Sequence, residues 1–486
     1  MLPQEIQLLI KTLPPESQAV IKAIILIYES KFEKMEARIK ELEDQLSKNS
    51  KNSSKPPSSD GYKKPSPKSL RQKTKRKAGG QKGHPGHNLK MTTTPDQIIL
   101  HPVTSCSRCH KDLSMAQSVA EKTRQVYDIP PLCLKVTEHQ IEIKQCSCGC
   151  LTTSLFPDDV PHYVQYGANI KTLLTYLQDY QLLPYQRSVQ LVEDLFEHTI
   201  SQGTLYNIRK YAFCQLEDFE LSLEQYLCAA TLAGFDETGL SVIAQLHWLH
   251  SCSTENSVHY KVHKKRGREA MDDIDILPNF KGIAVHDFWK SYYQYECEHA
   301  LCNAHILREL VFIKERFEQD WAQDLIDLLL KMKKAKHRAL MKNKTGLSKA
   351  TLTKYHKTYN DIINKGLAVN PLSNAPPLVV KRGRKAKSKP RNLLERLQDF
   401  ANDVLRFLYD FKVPFDNNFS ERDLRMMKVK LKISGCFRSL NGAQYFARIR
   451  SYIGTARKQN VNAFEAIRSL FTNNHIPLTL IRNLGC

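Results

Sequence analysis

Three carboxylates in this chain have neighbours suited to phosphate chemistry. Asp236 closes a short apolar run that starts at Leu232, and Asp287 follows a second, Gly282 to Val285. Two acids leaving one edge of a sheet are what a pair of magnesium ions requires, because hard cations take carboxylate oxygens. The third acid, Glu421, stands in Pro414-Phe415-Asp416-Asn417-Asn418-Phe419-Ser420-Glu421-Arg422-Asp423-Leu424-Arg425. Pro414 and the Asp-Asn-Asn cluster read as a turn and cap that start a helix. Asn417, Glu421 and Arg425, spaced by four, then share one face with Arg422 beside them. A carboxylate, an amide and a guanidinium together suit a cation held next to phosphates. Two plainer alternatives stand beside this: Glu237 as the ligand in place of Asp236, and Glu421 as the end of a capping box with Asn418.

The elements needed to position these acids can be read from period and punctuation. Leu232 to Asp236 is one strand; Val242, Ala244, Leu246 and Trp248 alternate as a second, and Val258, Tyr260 and Val262 as a third. A helix from Glu269 to Leu277 leads to the strand Gly282 to Val285, which can lie parallel beside the first. Beyond Asp287, Trp289, Lys290 and Tyr292 offer stacking and phosphate contacts. The interval up to Glu421 is mostly helical, an insertion broken by a basic run. Within it His299, Cys302 and His305 could share a second zinc but lack a fourth ligand. Residues 166–226 also read as helical. The turn Ile200-Ser201-Gln202-Gly203 and a helix bearing Arg209 and Lys210 suggest a helix-turn-helix, with a three-helix bundle as the alternative.

Cys106-x-x-Cys109 and Cys146-x-Cys148-x-Cys150 lie on either side of an interval expected to be strand-rich. Two such pairs suit a structural zinc ribbon, with Cys106, Cys109, Cys146 and Cys148 as ligands and Cys150 competing with Cys148. Four thiolates would leave no open position for catalysis. Ile21, Ile25, Tyr28, Phe32, Met35, Ile39, Leu42 and Leu46 form a heptad seam between charged residues, so a coiled coil and self-association are expected.

The net charge is +22 over 486 residues, and it is concentrated. Lys51 to Lys90 holds twelve Lys/Arg against one acid, and Lys381 to Arg391 seven with none. Such stretches track a polyanion by releasing its counterions. The first is also Ser- and Pro-rich, and it contains the glycine-rich run Gly79 to His87, where Lys82 could meet a phosphate. No secretory signal or membrane-length apolar run is present. With thirteen cysteines read as thiols and metal ligands, an intracellular, cytoplasmic protein is expected.

Several blocks in one order carry a resemblance: Ser53-Ser54-Lys55-Pro56-Pro57-Ser58-Ser59-Asp60-Gly61, Gly79 to Gly86, Asp236-Glu237-Thr238-Gly239, His299 to His305, and Asp416 to Arg422. Together with Asp236, Asp287 and Glu421 they resemble the bacterial insertion sequence sixty-six family of DDE transposases. The resemblance implies a multidomain α+β protein with a ribonuclease-H-like catalytic domain. It also implies a zinc-binding module before that domain, and a Cys-x-x-His signature met by Cys302 and His305. Met426-Met427 stand where many members have proline. The implied activity is cleavage at the ends of an insertion sequence and transfer of the freed 3′ hydroxyl to target DNA. Asp236, Asp287 and Glu421 would hold two Mg²⁺, or Mn²⁺. Lys82, Arg209, Lys210, Lys290, Arg422 and Arg425 are the expected DNA contacts. Element-encoded accessory proteins are expected as partners.

The expected order is a coiled coil over 1–50, a basic linker over 51–95 and a zinc module over 96–160. A helical DNA-binding region over 161–228 and the first part of the catalytic core over 229–300 follow. A helical insertion over 301–410 then precedes the last part of the core, 411–486. A catalytically silent DNA-binding protein or a nuclease without joining activity are the alternatives.

Overall fold

Proline at the first position of a long amphipathic helix opens the best-defined N-terminal element, since no backbone N–H is needed there. The computed structural model describes residues 4–53, 83, 88–372 and 387–472. It begins with helices α1 (Gln4–Lys11) and α2 (Pro15–Leu46). Along α2 the seam residues Tyr28, Phe32, Met35, Ile39, Leu42 and Leu46 are exposed in the single chain. Lys82 and the glycine-rich run around it lie outside the described residues, apart from Gly83.

The chain divides into two compact units. The smaller holds residues 67–156 and 192–198; the larger holds 1–66, 157–191 and 199–486. In the smaller unit, strands β1 (Ile143–Gln145) and β2 (Leu151–Thr153) pair antiparallel as a short hairpin. The expected strand-rich interval before it does not form strands: from Leu113 to Glu142 there is neither helix nor strand. Its apolar residues Val119, Val126 and Val136 are fully exposed or nearly so, and no burial offsets the cost of ordering them.

Beyond residue 157 the chain forms α3 (Ala168–Thr175), prolonged by a π-helical turn, then α4 (Tyr185–Phe196), whose last residues fall in the smaller unit, α5 (Gln202–Gln215) and α6 (Glu217–Cys228). The Ser201 side chain accepts the Thr204 N–H and caps α5, as the turn sequence predicts. A five-stranded sheet follows. Its strands are β3 (Leu232–Val242), β4 (Gln245–Ser253), β5 (Val258–His263), β6 (Ile283–His286) and β7 (Glu298–Leu301), in the order β5-β4-β3-β6-β7. The first three are antiparallel neighbours; β6 is parallel to β3 and β7 to β6. The helix α7 (Arg268–Ile274) makes the crossover to β6 and is shorter than the sequence suggests.

Helices α8 (Asn303–Phe317), α9 (Asp320–Leu340), α10 (Lys349–Val369), α11 (Lys389–Asp399) and α12 (Ala401–Tyr409) pack around Trp321, Leu325, Leu329, Tyr359 and Leu394. Three more helices, α13 (Asn418–Ser434), α14 (Leu440–Lys458) and α15 (Ala463–Ser469), end the described chain. The last turn of α2 is tied to this body. Asp44 bonds Arg316 on α8 at 2.9 Å and Lys389 on α11 at 2.7 Å, and Asn52 donates to Glu315.

Candidate active site

The parallel register sets the site. Gly234 pairs with Val285, so two residues further along each strand Asp236 comes opposite Asp287. Glu421 reaches the same edge because α13 lies directly on β3. A Cβ built on Gly234 would stand 2.3 Å from Asn417 Oδ1 and from Ser420 Oγ, and 2.6 Å from the Phe419 ring. Only glycine permits that approach.

The start of α13 is held from several sides. Asn417 is the N-cap, yet its side chain makes no capping bond; its amide donates instead to the Phe235 carbonyl at 3.0 Å, one residue before Asp236. The Asn417 N–H points to the Cys302 sulfur at 3.1 Å. From the helical insertion, Lys336 donates to the Val413 carbonyl and Lys333 pairs with Asp416 at 3.0 Å. One turn into α13, Asp423 accepts from Ser253 and pairs with Lys458 at 2.8 Å. The capping-box alternative for Glu421 thus gives way to a cap residue committed to the sheet.

Burial first, then the negative charges of Glu237, Asp287 and Glu421, raise the Asp236 carboxyl well above the ordinary range. Burial and the Glu237 charge push Asp287 up to about 6. Both shifts report carboxylates crowded together out of water, which a bound cation would relieve. Glu237 faces other partners: Arg266 at 2.6 Å and the Tyr292 hydroxyl at 2.5 Å. Its charge is thereby shared with Arg266 and Tyr292. Arg266 in turn lies 4.2 Å from the Trp289 ring and 4.9 Å from Trp248.

Glu421 meets one face of α8. Its Oε1 accepts from Arg308 at 3.1 Å and lies 3.6 Å from His305 Nδ1. Cys302, His305 and Arg308 recur every three residues, which aligns them toward the first turn of α13. Burial, then the Arg308 charge, pushes His305 down to about 3, so its imidazole is neutral. Burial pushes the Cys302 thiol up to about 12. His299 turns elsewhere, toward His286 Nε2 at 3.0 Å, so the three-residue zinc set is not assembled. Arg308 and Asn417 are the contributors missed from sequence as partners of Glu421 and β3; the three-residue spacing after Cys302 was the available signal for Arg308.

Arg209 is a correction. It is buried and gripped by Asp179 at 2.8 and 2.6 Å and by the Tyr185 hydroxyl, so it holds helices together and cannot reach DNA. Lys210, Lys290, Arg422 and Arg425 are all exposed. In the smaller unit the cysteines sit on two similar turns. His110 N–H bonds the Cys106 carbonyl and Cys106 N–H the Lys111 carbonyl; Gly149 N–H bonds the Cys146 carbonyl and Cys146 N–H the Cys150 carbonyl. Cys109 and Cys148 therefore occupy matching places, each followed by a residue with positive φ. Among the described residues no third His, Cys, Asp or Glu joins either pair within 4.8 Å. Glu220, Glu224 and His259 do cluster, but Lys261 and Arg448 already neutralise the two acids.

Comparison with known proteins gives the class. Residues 163–445 match a family model of transposases, which spans the sheet, the helical insertion and Glu421. That family is IS66, and the chain belongs to the IS66 family of transposases. Residues 2–90 match a family of unknown function, DUF6444. No curated protein matches the chain. Membership implies a nucleic-acid-processing enzyme that uses divalent metal, with DNA as its partner. Among the described residues no helix is long and apolar enough to cross a membrane.

Proposed function

We propose that this transposase binds the ends of an insertion sequence, cleaves DNA there and joins the freed 3′ hydroxyl to target DNA. The observation that carries the reading is the β3–β6 register, which sets Asp236 beside Asp287 while α13, seated on Gly234, delivers Glu421. The sheet order, with three antiparallel strands followed by two parallel ones, supports a ribonuclease-H-like catalytic core and a DDE assignment.

The three acids offer carboxylate oxygens to a hard divalent cation, two of them crowded enough to raise their proton affinity, and Glu421 also stands within 4.8 Å of the Cys302 and His305 ligand atoms. Asp236 and Asp287 would hold two Mg²⁺, or Mn²⁺, with Glu421 completing the second site. When bound, the ions polarise the attacked phosphate and acidify the attacking water or hydroxyl. The chain itself orients these acids: Asn417 fixes β3 to the Glu helix, and Arg308 steadies Glu421. Lys290, Arg422 and Arg425, and Lys210 on α5, present exposed cations to the phosphate backbone. Direct displacement at phosphorus needs no covalent protein intermediate.

Around this core, Cys106, Cys109, Cys146 and Cys148 would bind a structural zinc; the matched turns favour Cys148 over Cys150. The exposed seam of α2 would pair with a second copy, and element-encoded proteins could assist. The test is a labelled element end incubated with the purified protein and Mg²⁺. Cleavage and joined products are expected, and Asp287→Ala should abolish both while end binding persists. End binding without nicking in Mg²⁺ or Mn²⁺ would leave a silent DNA-binding protein; cleavage without joined products would leave a nuclease.

A further inference from the structure

The charges that flank the seam of α2 are sorted by side. In heptad terms Ile25, Phe32 and Ile39 take a positions and Tyr28, Met35 and Leu42 take d positions. Asp44, which ties the last turn to Arg316 and Lys389, then falls at f, on the side of the helix away from the seam. The contacts that hold α2 to its own chain therefore leave the seam open, and Tyr28, Phe32, Met35 and Ile39 are each more than half exposed. Beside it, the g positions hold Lys31 and Arg38, and the e positions of the following heptads hold Glu36 and Glu43. All four side chains are exposed.

This arrangement distinguishes the two ways of pairing two such helices. In a parallel pair in register, g meets the e residue five positions further on in the other helix; in an antiparallel pair g meets g and e meets e. Parallel pairing sets Lys31 against Glu36 of the partner subunit and Arg38 against Glu43 of the partner subunit, each contact made twice. Antiparallel pairing would instead bring cations to cations and glutamates to glutamates. Isoleucine at two a positions with leucine at d suits two strands. Arg38 also meets Glu41 in its own helix, and Glu43 meets Arg316, both at 2.6 Å, so Lys31 and Glu36 form the cleaner probe.

We propose that α2 pairs with α2 of a second copy in parallel and in register, an inference that rests on the proposed self-association through this seam. From Ile21 to Leu46 the seam is roughly 38 Å long at about 1.5 Å per residue. Antiparallel pairing would hold the two Asp44 ties toward opposite ends of that length. Parallel pairing brings both to the same end, an arrangement that favours holding two DNA ends in one complex.

The experiment cross-links the full wild-type chain with an amine-reactive suberate ester, in an equal mixture of ¹⁵N-labelled and unlabelled protein, so that links between copies are recognised by mass. Lys31 lies near the middle of the seam, and a Lys31–Lys31 link between copies forms in either orientation and reports pairing itself. Lys22 lies near one end, and a Lys22–Lys22 link is expected only from parallel helices, because antiparallel pairing separates these two residues by roughly 35 Å. Sedimentation equilibrium at low ionic strength, where surface charges are least screened, gives a second readout. Lys31→Glu should weaken the parallel dimer about fivefold, and adding Glu36→Lys should restore it to within about twofold of wild type. An antiparallel dimer would be tightened by Lys31→Glu, which turns a contact with Arg38 of the partner subunit from repulsion to attraction. A dimer linked at Lys31 but not at Lys22, or one that Lys31→Glu tightens or leaves unchanged, overturns the parallel orientation alone. A monomer with no link at Lys31 overturns the self-association on which it rests.

Discussion

The Glu421 carboxylate, delivered by α13, is held by Arg308 at 3.1 Å. A metal ligand whose outer partner is removed typically loses ten- to a hundredfold in affinity or activity. Arg308→Ala is therefore expected to lower strand cleavage by about that factor with end binding unchanged, and Arg308→Lys to restore only part, since lysine cannot reproduce the planar fork. Wild-type cleavage by Arg308→Ala would remove it as a positioning group. At this scale the sequence disclosed the acids and little about their partners. The partners of Glu237, Tyr292 and Arg266, are distant in the chain and could not be read from it. Arg209 looked like a DNA contact because its partner Asp179 belongs to another helix.

Among the elements, the contact of α13 with β3 at Gly234 decides whether Glu421 arrives. Gly234→Ala places a methyl group 2.3 Å from two side-chain oxygens, and overpacking of this kind costs about 1–3 kcal/mol. The expected outcome is a lower thermal midpoint together with loss of cleavage; a fully active, equally stable variant would show that α13 can sit further out. The alternating strands and the N-terminal start of α13 were legible because period and capping chemistry are local. The hairpin between β3 and β4 was not: Ile243 and Ala244 both have positive φ, in a turn that lacks the usual Asn-Gly signal and reads as continued strand. Strand β7 was hidden inside the His299 to His305 motif, where only pairing with β6 reveals it.

In the whole molecule, the N-terminal helix is tied to the helical insertion. Its exposed seam is where the proposed pairing of two chains is tested. Ile39→Lys would bury an unpaired cation in the seam, a cost of about 3–5 kcal/mol. Light scattering should then report a monomer that still binds single ends but joins paired ends poorly; a stable dimer would contradict self-association through α2. The central claim is that acids from β3, β6 and α13 jointly hold divalent metal, and Asp287→Cys tests it most directly. A thiolate binds Mg²⁺ poorly and thiophilic ions well. Cleavage of a labelled element end by this variant should vanish in Mg²⁺ and return in Mn²⁺, with end binding constant; undiminished cleavage in Mg²⁺ would contradict the assignment of Asp287 as a metal ligand.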